Sequence, residues 1–223
     1  MYYKLESPDF SLVPEGTTSL DCSNLGLTSL EGCPSSVQIL DCFTNQLTSL
    51  EGCPPSVQKL YCFSNQLTSL EGCPPSVQKL DCSHNQLTSL EGCPSSVRKL
   101  YCHSNRLTSL EGCPPSVQEL YCSYNQLTSL EGCPSSVQKL VYRGNNLKGE
   151  IDTLEKLKEY NLRKEQSAKK AIAEKKSFKL TKPDFSRVPE GTTELDCSSI
   201  GLISLKGCPS SVRDLNCSYN QLT

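Results

Sequence analysis

The chain has 223 residues, a formal net charge of −2, 15 cysteines and no tryptophan. This near-neutral charge gives no reason to expect a nucleic acid or an acidic membrane surface as the main partner. No apolar run approaches the roughly 18 residues of a membrane-spanning helix, and the N-terminus lacks the apolar core of a signal peptide. We therefore expect an intracellular, cytoplasmic protein.

The first predicted element is a cap, KLESPDFSLVPEGTTSLDCSNLGL, which begins at Lys4. Within it, Val13-Pro14 aligns with the later Cys33-Pro34, and Phe10 aligns with Leu30. The segment therefore reads as a degenerate half-repeat. Terminal repeats cover the open end of a repeat array and keep it soluble, so we expect this segment to cap the first complete repeat.

A 20-residue repeat comes next, with the frame L-x-C-x-x-N-x-L-x-x-L-x-x-C-P-x-x-V-x-x. We call each copy a rung. The Leu-x-Cys stretch predicts a short strand with its apolar side chains on one side, and stacked rungs then form a parallel sheet. Glycine and proline predict an extended or turn-rich return path. The first array has seven leucine-led rungs, which begin at Leu20, Leu40, Leu60, Leu80, Leu100, Leu120 and Leu140.

Cysteine occupies two fixed positions of the frame, which predicts small buried core residues. The odd total excludes complete internal pairing, and the cysteine spacing alternates between 11 and 9 residues without a C-x-x-C motif. We therefore expect reduced thiols, a reducing compartment, no metal and no cofactor. Oxidation of stacked cysteines and a zinc site are the alternatives to this interpretation.

A helix is predicted from residue 150 to about residue 163, because Ile151, Leu154 and Leu157 fall at helical spacing. Asp152 lies early in this helix, which suits the helix dipole. We expect the helix to close the open end of the first array. Residues 164 to 177 are rich in lysine and predict an exposed helix or linker, with a basic recognition helix as the alternative.

A second copy of the cap, KLTKPDFSRVPEGTTELDCSSIGL, begins at Lys179 and leads into two rungs, at Leu195 and Leu215. The predicted domains are therefore residues 1–149 (first array with its cap), 150–178 (helical cap and linker) and 179–223 (second array). Three interpretations of residues 179–223 stay open. They dock beside the first array, pair with another chain in a homo-oligomer, or belong to a gene remnant or a longer protein.

The segment VQILDCFTNQL, from Val37 to Leu47, resembles the leucine-rich repeat pattern L-x-x-L-x-L-x-x-N-x-L. The short repeat is similar to that of bacterial effector proteins, whose L-P-x-L-P-x-x-L stretch corresponds to LTSLEGCPPSV here. Its cysteine-containing form resembles leucine-rich repeat proteins of giant amoeba viruses of the marseillevirus group. The family implies a curved solenoid, an asparagine ladder that bonds to the backbone, and a concave strand side that binds partners.

Side chains that point away from the core at the strands vary most among the rungs. Aromatic residues are frequent among them, as they are at interface hot spots, and lysines follow one margin. The alternative is a drifting solvent face on which tyrosine and phenylalanine are tolerated for their strand propensity. The predicted partner-binding residues are Phe43, Tyr61, Phe63, Tyr101, His103 and Tyr121.

No catalytic motif is present: the two histidines lie on different rungs, and the Cys-x-Asp motif of bacterial ligases with similar repeats is absent. We therefore expect a non-enzymatic protein–protein interaction module whose partner is a host or viral protein. The alternative is a structural or virion component that self-associates through the ends of the solenoid. A redox role for the thiols is a third, weaker hypothesis.

Overall fold

The computed structural model describes residues 1–148 and 153–223. Ile151 and Asp152, which contributed to the helix prediction, lie outside the described residues. The described chain forms two compact units, Met1–Glu159 and Tyr160–Thr223. The three domains predicted from the sequence stay a prediction, and the two units are described separately below.

The first unit contains an eight-stranded parallel sheet whose strands neighbour one another in chain order. The central leucines are register partners, so that Leu40 faces Leu60 and Leu60 faces Leu80. This confirms the predicted leucine-rich repeat solenoid with turn-rich returns. The strands are β1 (Tyr2–Lys4), β2 (Ser19–Asp21), β3 (Ile39–Asp41), β4 (Lys59–Tyr61), β5 (Lys79–Asp81), β6 (Lys99–Tyr101), β7 (Glu119–Tyr121) and β8 (Lys139–Val141).

The N-terminal segment is a fuller rung than the half-repeat expected from the sequence, because β1 pairs in parallel with β2. Leu5 takes the place of the strand cysteine and donates its backbone N–H to Asp21 O at 2.7 Å. Phe10 is buried at the start of a 3₁₀ turn whose N-cap is Asp9. The segment therefore gives the sheet one more strand than the leucine-led rungs predict.

The core is a stack of rungs in which the frame leucines and valines of the central rungs are fully buried. The strand cysteines, Cys22 through Cys122 at 20-residue intervals, are likewise 0% exposed, as predicted. The second cysteine position is only half-buried in most rungs, which corrects the prediction of two buried rows. The reason is local: Cys53, for example, donates its N–H to Leu50 O in the turn that leaves the core.

The asparagine ladder joins each rung to the one before it. Asn85 Oδ1 accepts the backbone N–H of Leu67 at 2.9 Å, and Nδ2 donates to the carbonyls of Cys62 and Cys82 at 3.1 Å. The amide thus pairs buried backbone groups that no strand partner reaches. Equivalent bonds are made by Asn45, Asn65, Asn105, Asn125 and Asn145.

One helix, α1, spans Leu154–Lys176, so helical structure continues well beyond the predicted end near residue 163. Thr153 acts as its N-cap, since its hydroxyl accepts the N–H of Lys156 at 3.2 Å. Leu157, one of the residues at helical spacing, is 3% exposed. Closure of the first array by this helix stays a prediction. No helix of the described residues is both long and apolar enough to cross a membrane.

The second unit contains a three-stranded parallel sheet of β9 (Ser177–Lys179), β10 (Glu194–Asp196) and β11 (Asp214–Asn216). Its core repeats that of the first cap, with Phe185 buried at the start of a 3₁₀ turn, as Phe10 is in the first unit. Both rungs of this unit have a poorly covered leucine: Leu205, in the rung that begins at Leu195, is 38% exposed, and Leu222, in the rung that begins at Leu215, is 41% exposed. The corresponding residues of the first unit, Leu30 and Leu47, are 0% exposed.

Candidate protein-interaction surface

We use the name strand face for the two side chains that flank each buried strand leucine, together with the residue three positions after that leucine. Neighbours along a strand point to opposite sides, so the residues beside a core leucine leave the core together. In β4, for example, Leu60 is buried while Lys59 and Tyr61 are accessible. Because the strands are in register, each frame position forms a row across the sheet.

The structure brings Phe43 and Phe63 together on this face. Their ring centroids lie 4.5 Å apart, and the ring planes differ by 6°. Both side chains are half-buried, because each covers one face of the other. The remaining ring surface is an apolar patch at the ends of strands β3 and β4.

Tyr101 and Tyr121 form a second stack, with centroids 4.4 Å apart and planes 7° apart. Burial, followed by the neighbouring Tyr121, raises the pKa of Tyr101. The Tyr121 hydroxyl donates to Glu119 Oε2 at 3.2 Å, and Lys139 Nζ lies 5.2 Å from the Tyr121 ring centroid. Both contacts involve Tyr121 and restrict that ring of the pair.

His103 meets His84, a residue outside the predicted set, in an edge-to-face contact with centroids 5.1 Å apart. Burial lowers the pKa of His103, and His84 adds to that effect while Asp81 opposes it. The imidazole of His103 is therefore neutral over a wider pH range than a free histidine. The sequence signal for His84 is its position just after the strand, in the rung next to that of His103.

Lys79 contacts aromatic rings on both sides of the rung that contains Asp81 and Ser83. That rung separates a first group of rings from a second group, namely Phe43, Tyr61 and Phe63 from Tyr101, His103 and Tyr121. Lys79 Nζ donates to the hydroxyl of Tyr61 at 3.1 Å and lies 4.8 Å from the Tyr61 ring centroid. The same Nζ is 5.5 Å from the ring centroid of Tyr101. Sequence reasoning placed the lysines at a margin and missed this bridging role, because the direction of a long side chain is not encoded in the repeat frame.

Aspartate and serine two residues apart form a local turn on the non-aromatic rungs. Asp81 Oδ1 accepts the N–H and the hydroxyl of Ser83, at 3.1 and 2.6 Å. Asp41 has Phe43 in the serine position, and burial together with nearby Asp21 raises the pKa of its carboxyl. Ser123 follows Tyr121 instead of an aspartate, and its buried hydroxyl has no partner among the described residues.

The chemistry of this surface is that of noncovalent binding: ring faces, ammonium groups and a few carboxylates. Within residues 1–148 and 153–223, no group of three or more histidine, cysteine, aspartate or glutamate side chains is placed to hold a metal ion. Burial raises the pKa of the Cys33 and Cys73 thiols to about 12, which keeps these two groups protonated at neutral pH.

Two bacterial leucine-rich repeat structures are similar to this chain. The leucine-rich repeat domain of a Shigella effector is 30% identical, with a TM-score of 0.54, over 60% of this chain and 61% of that one. YopM from Yersinia enterocolitica is 27% identical, with a TM-score of 0.56, over 94% of this chain and 39% of that one. The chain thus matches less than two thirds of either neighbour.

No protein-family model matches the chain, and no curated protein matches it. The structural neighbours support a leucine-rich repeat fold.

Proposed function

We propose that this chain, a leucine-rich repeat solenoid by fold, is a non-enzymatic module that binds a partner protein through its strand face. The main support is the coincidence of sequence variation with aromatic contacts. Interior and turn positions barely change from rung to rung, whereas the strand face changes and holds two stacked ring pairs.

The stacked rings suit a binding role for an energetic reason. Aromatic side chains contribute much apolar area with few rotatable bonds, so that little conformational entropy is lost when a partner covers them. The Phe43–Phe63 and Tyr101–Tyr121 contacts already restrict those bonds in the free protein. A partner that covers both stacks also covers Lys79 and Tyr61, which lie between them.

The source of the partner follows from the sequence resemblance and from the thiols. Repeats like those of giant amoeba viruses point to a host or viral partner in the cytoplasm of an amoeba, or within a virion. All 15 cysteines are free, which suits a reducing compartment. Nucleic acid and membrane are not proposed as partners, because the net charge is only −2.

Affinity capture tests the strand face directly. The bait is the full chain in reducing lysate from infected and uninfected amoebae, beside a variant with Tyr61→Ala, Phe63→Ala, Tyr101→Ala and Tyr121→Ala. A matched control replaces four exposed turn threonines of neighbouring rungs, as Thr68→Ala, Thr88→Ala, Thr108→Ala and Thr128→Ala. Both variants leave the net charge unchanged.

The expected result is a protein held by the wild type and by the threonine control and lost by the aromatic variant. Circular dichroism confirms that both variants remain folded. If the wild type and the folded aromatic variant capture the same proteins in the same amounts, binding does not use this face.

Self-association through residues 179–223 is the second candidate, and the exposed leucines of the second unit favour it. Leu205 and Leu222 are 38% and 41% exposed, whereas their counterparts in the first unit are buried under the next rung. Light scattering across protein concentrations measures the mass of the species in solution. We expect Leu205→Asp with Leu222→Asp to abolish any oligomer and Ser210→Asp to leave it intact; a monomer at all concentrations excludes this role.

A further inference from the structure

A groove of about 340 Å³ lies at the lysine margin of the strand face. Most of its lining comes from two adjacent frame positions, one at the start of each strand and one just before the strand. Lys59, Lys79 and Lys99 are register partners on β4, β5 and β6, so their α-carbons are about 4.8 Å apart from strand to strand. The full lining is Gln58, Lys59, Gln78, Lys79, Arg98, Lys99 and Tyr101.

The lining contains four cations and no carboxylate. Two of the cations already have partners: Lys79 bonds to the Tyr61 hydroxyl, and Lys99 Nζ pairs with Glu119 Oε1 at 2.6 Å. Among the described residues, the side chains of Lys59 and Arg98 make no hydrogen bond or ion pair. Like charges on adjacent strands destabilise a sheet, and an anion in the groove would relieve that repulsion.

Arg98 adds a guanidinium group to the lysines that line the groove. Its frame position is glutamine in the other complete rungs of the first array, as in Gln58 and Gln78. A guanidinium binds a carboxylate through two parallel hydrogen bonds, which an ammonium group cannot do. The flanking glutamine amides donate further hydrogen bonds, and the Tyr101 ring and the lysine methylenes supply apolar walls.

We infer that this groove binds a short acidic segment of the partner protein, with one carboxylate at Arg98 and another at Lys59. The inference rests on the proposed interaction function and specifies the chemistry of its partner. Three strands span about 10 Å, which matches about three residues of an extended peptide. Two carboxylates on alternate residues of such a peptide can therefore reach the two unpaired cations.

Charge on the rest of the strand face favours an acidic peptide over a nucleic acid. Asp41 and Asp81 lie in the row next to the lysines, and the whole chain has a net charge of −2. A phosphate backbone extends far beyond three strands and would pass these carboxylates, whereas a short peptide would not. The row of lysines is also interrupted at β7, where Glu119 occupies the lysine position and pairs with Lys99.

The test uses fluorescein-labelled hexaglutamate as the probe, hexaglutamine as the uncharged comparison, and the full chain in low salt. The groove variant is Lys59→Gln with Arg98→Gln. The control variant is Lys148→Gln with Arg106→Gln, which removes the same charge at two exposed residues outside the groove lining and outside the strand face. Fluorescence anisotropy gives each dissociation constant.

We expect hexaglutamate to bind the wild type, and the groove variant to bind it about tenfold more weakly, since two charge-assisted contacts are lost. The control variant should lose less than about twofold through general electrostatics. No binding of hexaglutamate, or equal losses in both variants, overturns the inference. Tighter binding of a thymidine decanucleotide at the groove, or full displacement by inorganic phosphate, also overturns it in favour of a general anion site.

Capture with the same variants separates this inference from the interaction function itself. If the aromatic variant loses the captured partner and the groove variant retains it, the strand face binds the partner but the acidic-segment inference is wrong. If the groove variant also loses the partner and the Lys148→Gln, Arg106→Gln control retains it, both stand. If no variant changes capture, the strand-face function is wrong irrespective of the hexaglutamate result.

Discussion

Two glycines in identical local sequence should respond very differently to alanine. The stretch LTSLEGCPSSVQ occurs at residues 27–38 and again at residues 127–138. Gly32 and Gly132 occupy the same place in it, with φ of +85° and +84°. The difference between them is tertiary, because a complete rung precedes Gly132 and only the cap precedes Gly32.

The structure sets the size of the difference. A Cβ on Gly132 would lie 2.9 Å from Glu111 N and from Leu110 C, whereas the nearest atom to a Cβ on Gly32 is Phe10 Cβ at 3.9 Å. Both alanines adopt a left-handed conformation, which costs about 1–2 kcal/mol. Only the Gly132 variant must also displace the backbone of another rung, and overpacking of this kind costs about 1–3 kcal/mol more.

Urea unfolding of the full chain, followed by circular dichroism, compares Gly32→Ala with Gly132→Ala. The local sequences are the same, so the substitutions change the unfolded chain equally and their difference reports the folded state. Hydrogen exchange at the neighbouring amides shows whether the Gly132 rung opens locally instead of lowering the global midpoint. Equal losses for the two variants, with equal exchange, would refute the close stacking of rungs described here.

Three further predictions concern the ladder, the histidines and the thiols. Asn85→Ala should lower the free energy of unfolding by about 2–4 kcal/mol in urea titrations, because the buried Leu67 N–H and two carbonyls lose their partner. Burial lowers the pKa of His103 in the folded chain, so the unfolded chain takes up a proton at a higher pH than the folded chain does. The free energy of unfolding should therefore fall as the pH drops through about 6.5, and it should fall less in His103→Gln. An unchanged pH profile in His103→Gln would contradict this. The six strand cysteines from Cys22 to Cys122, which are fully buried, should react with Ellman's reagent at pH 8 at least about a hundredfold more slowly in the native chain than in denaturant. Rapid native labelling of all 15 thiols would rule out this buried row.

The repeat frame was sufficient to predict the first sheet from β2 to β8, because residues at one frame position must lie side by side when rungs stack in register. It did not predict β1, since Tyr3 and Leu5 replace the leucine and cysteine that mark a strand. It also treated the two cysteine positions alike. The structure separates them, because one lies in a strand and the other begins a turn that leaves the core.

The candidate surface was predicted only as a set of positions. Variation among rungs identified Phe43, Phe63, Tyr101 and Tyr121, and strand alternation placed them on one face. The frame gave no means to find the bridge made by Lys79, whose contacts depend on the rotamer of a flexible side chain among three strands.

Sequence by itself determined the parallel solenoid, its register, the strand leucine and cysteine core and the place of the ladder asparagines. Each follows from a 20-residue period, since every rung uses the next as its core. Tertiary structure alone decided which rings stack, which cations remain unpaired and where Arg98 meets the lysines of neighbouring strands. Those features depend on side-chain directions across several rungs. The 20-residue period fixes only backbone positions and leaves those directions undetermined.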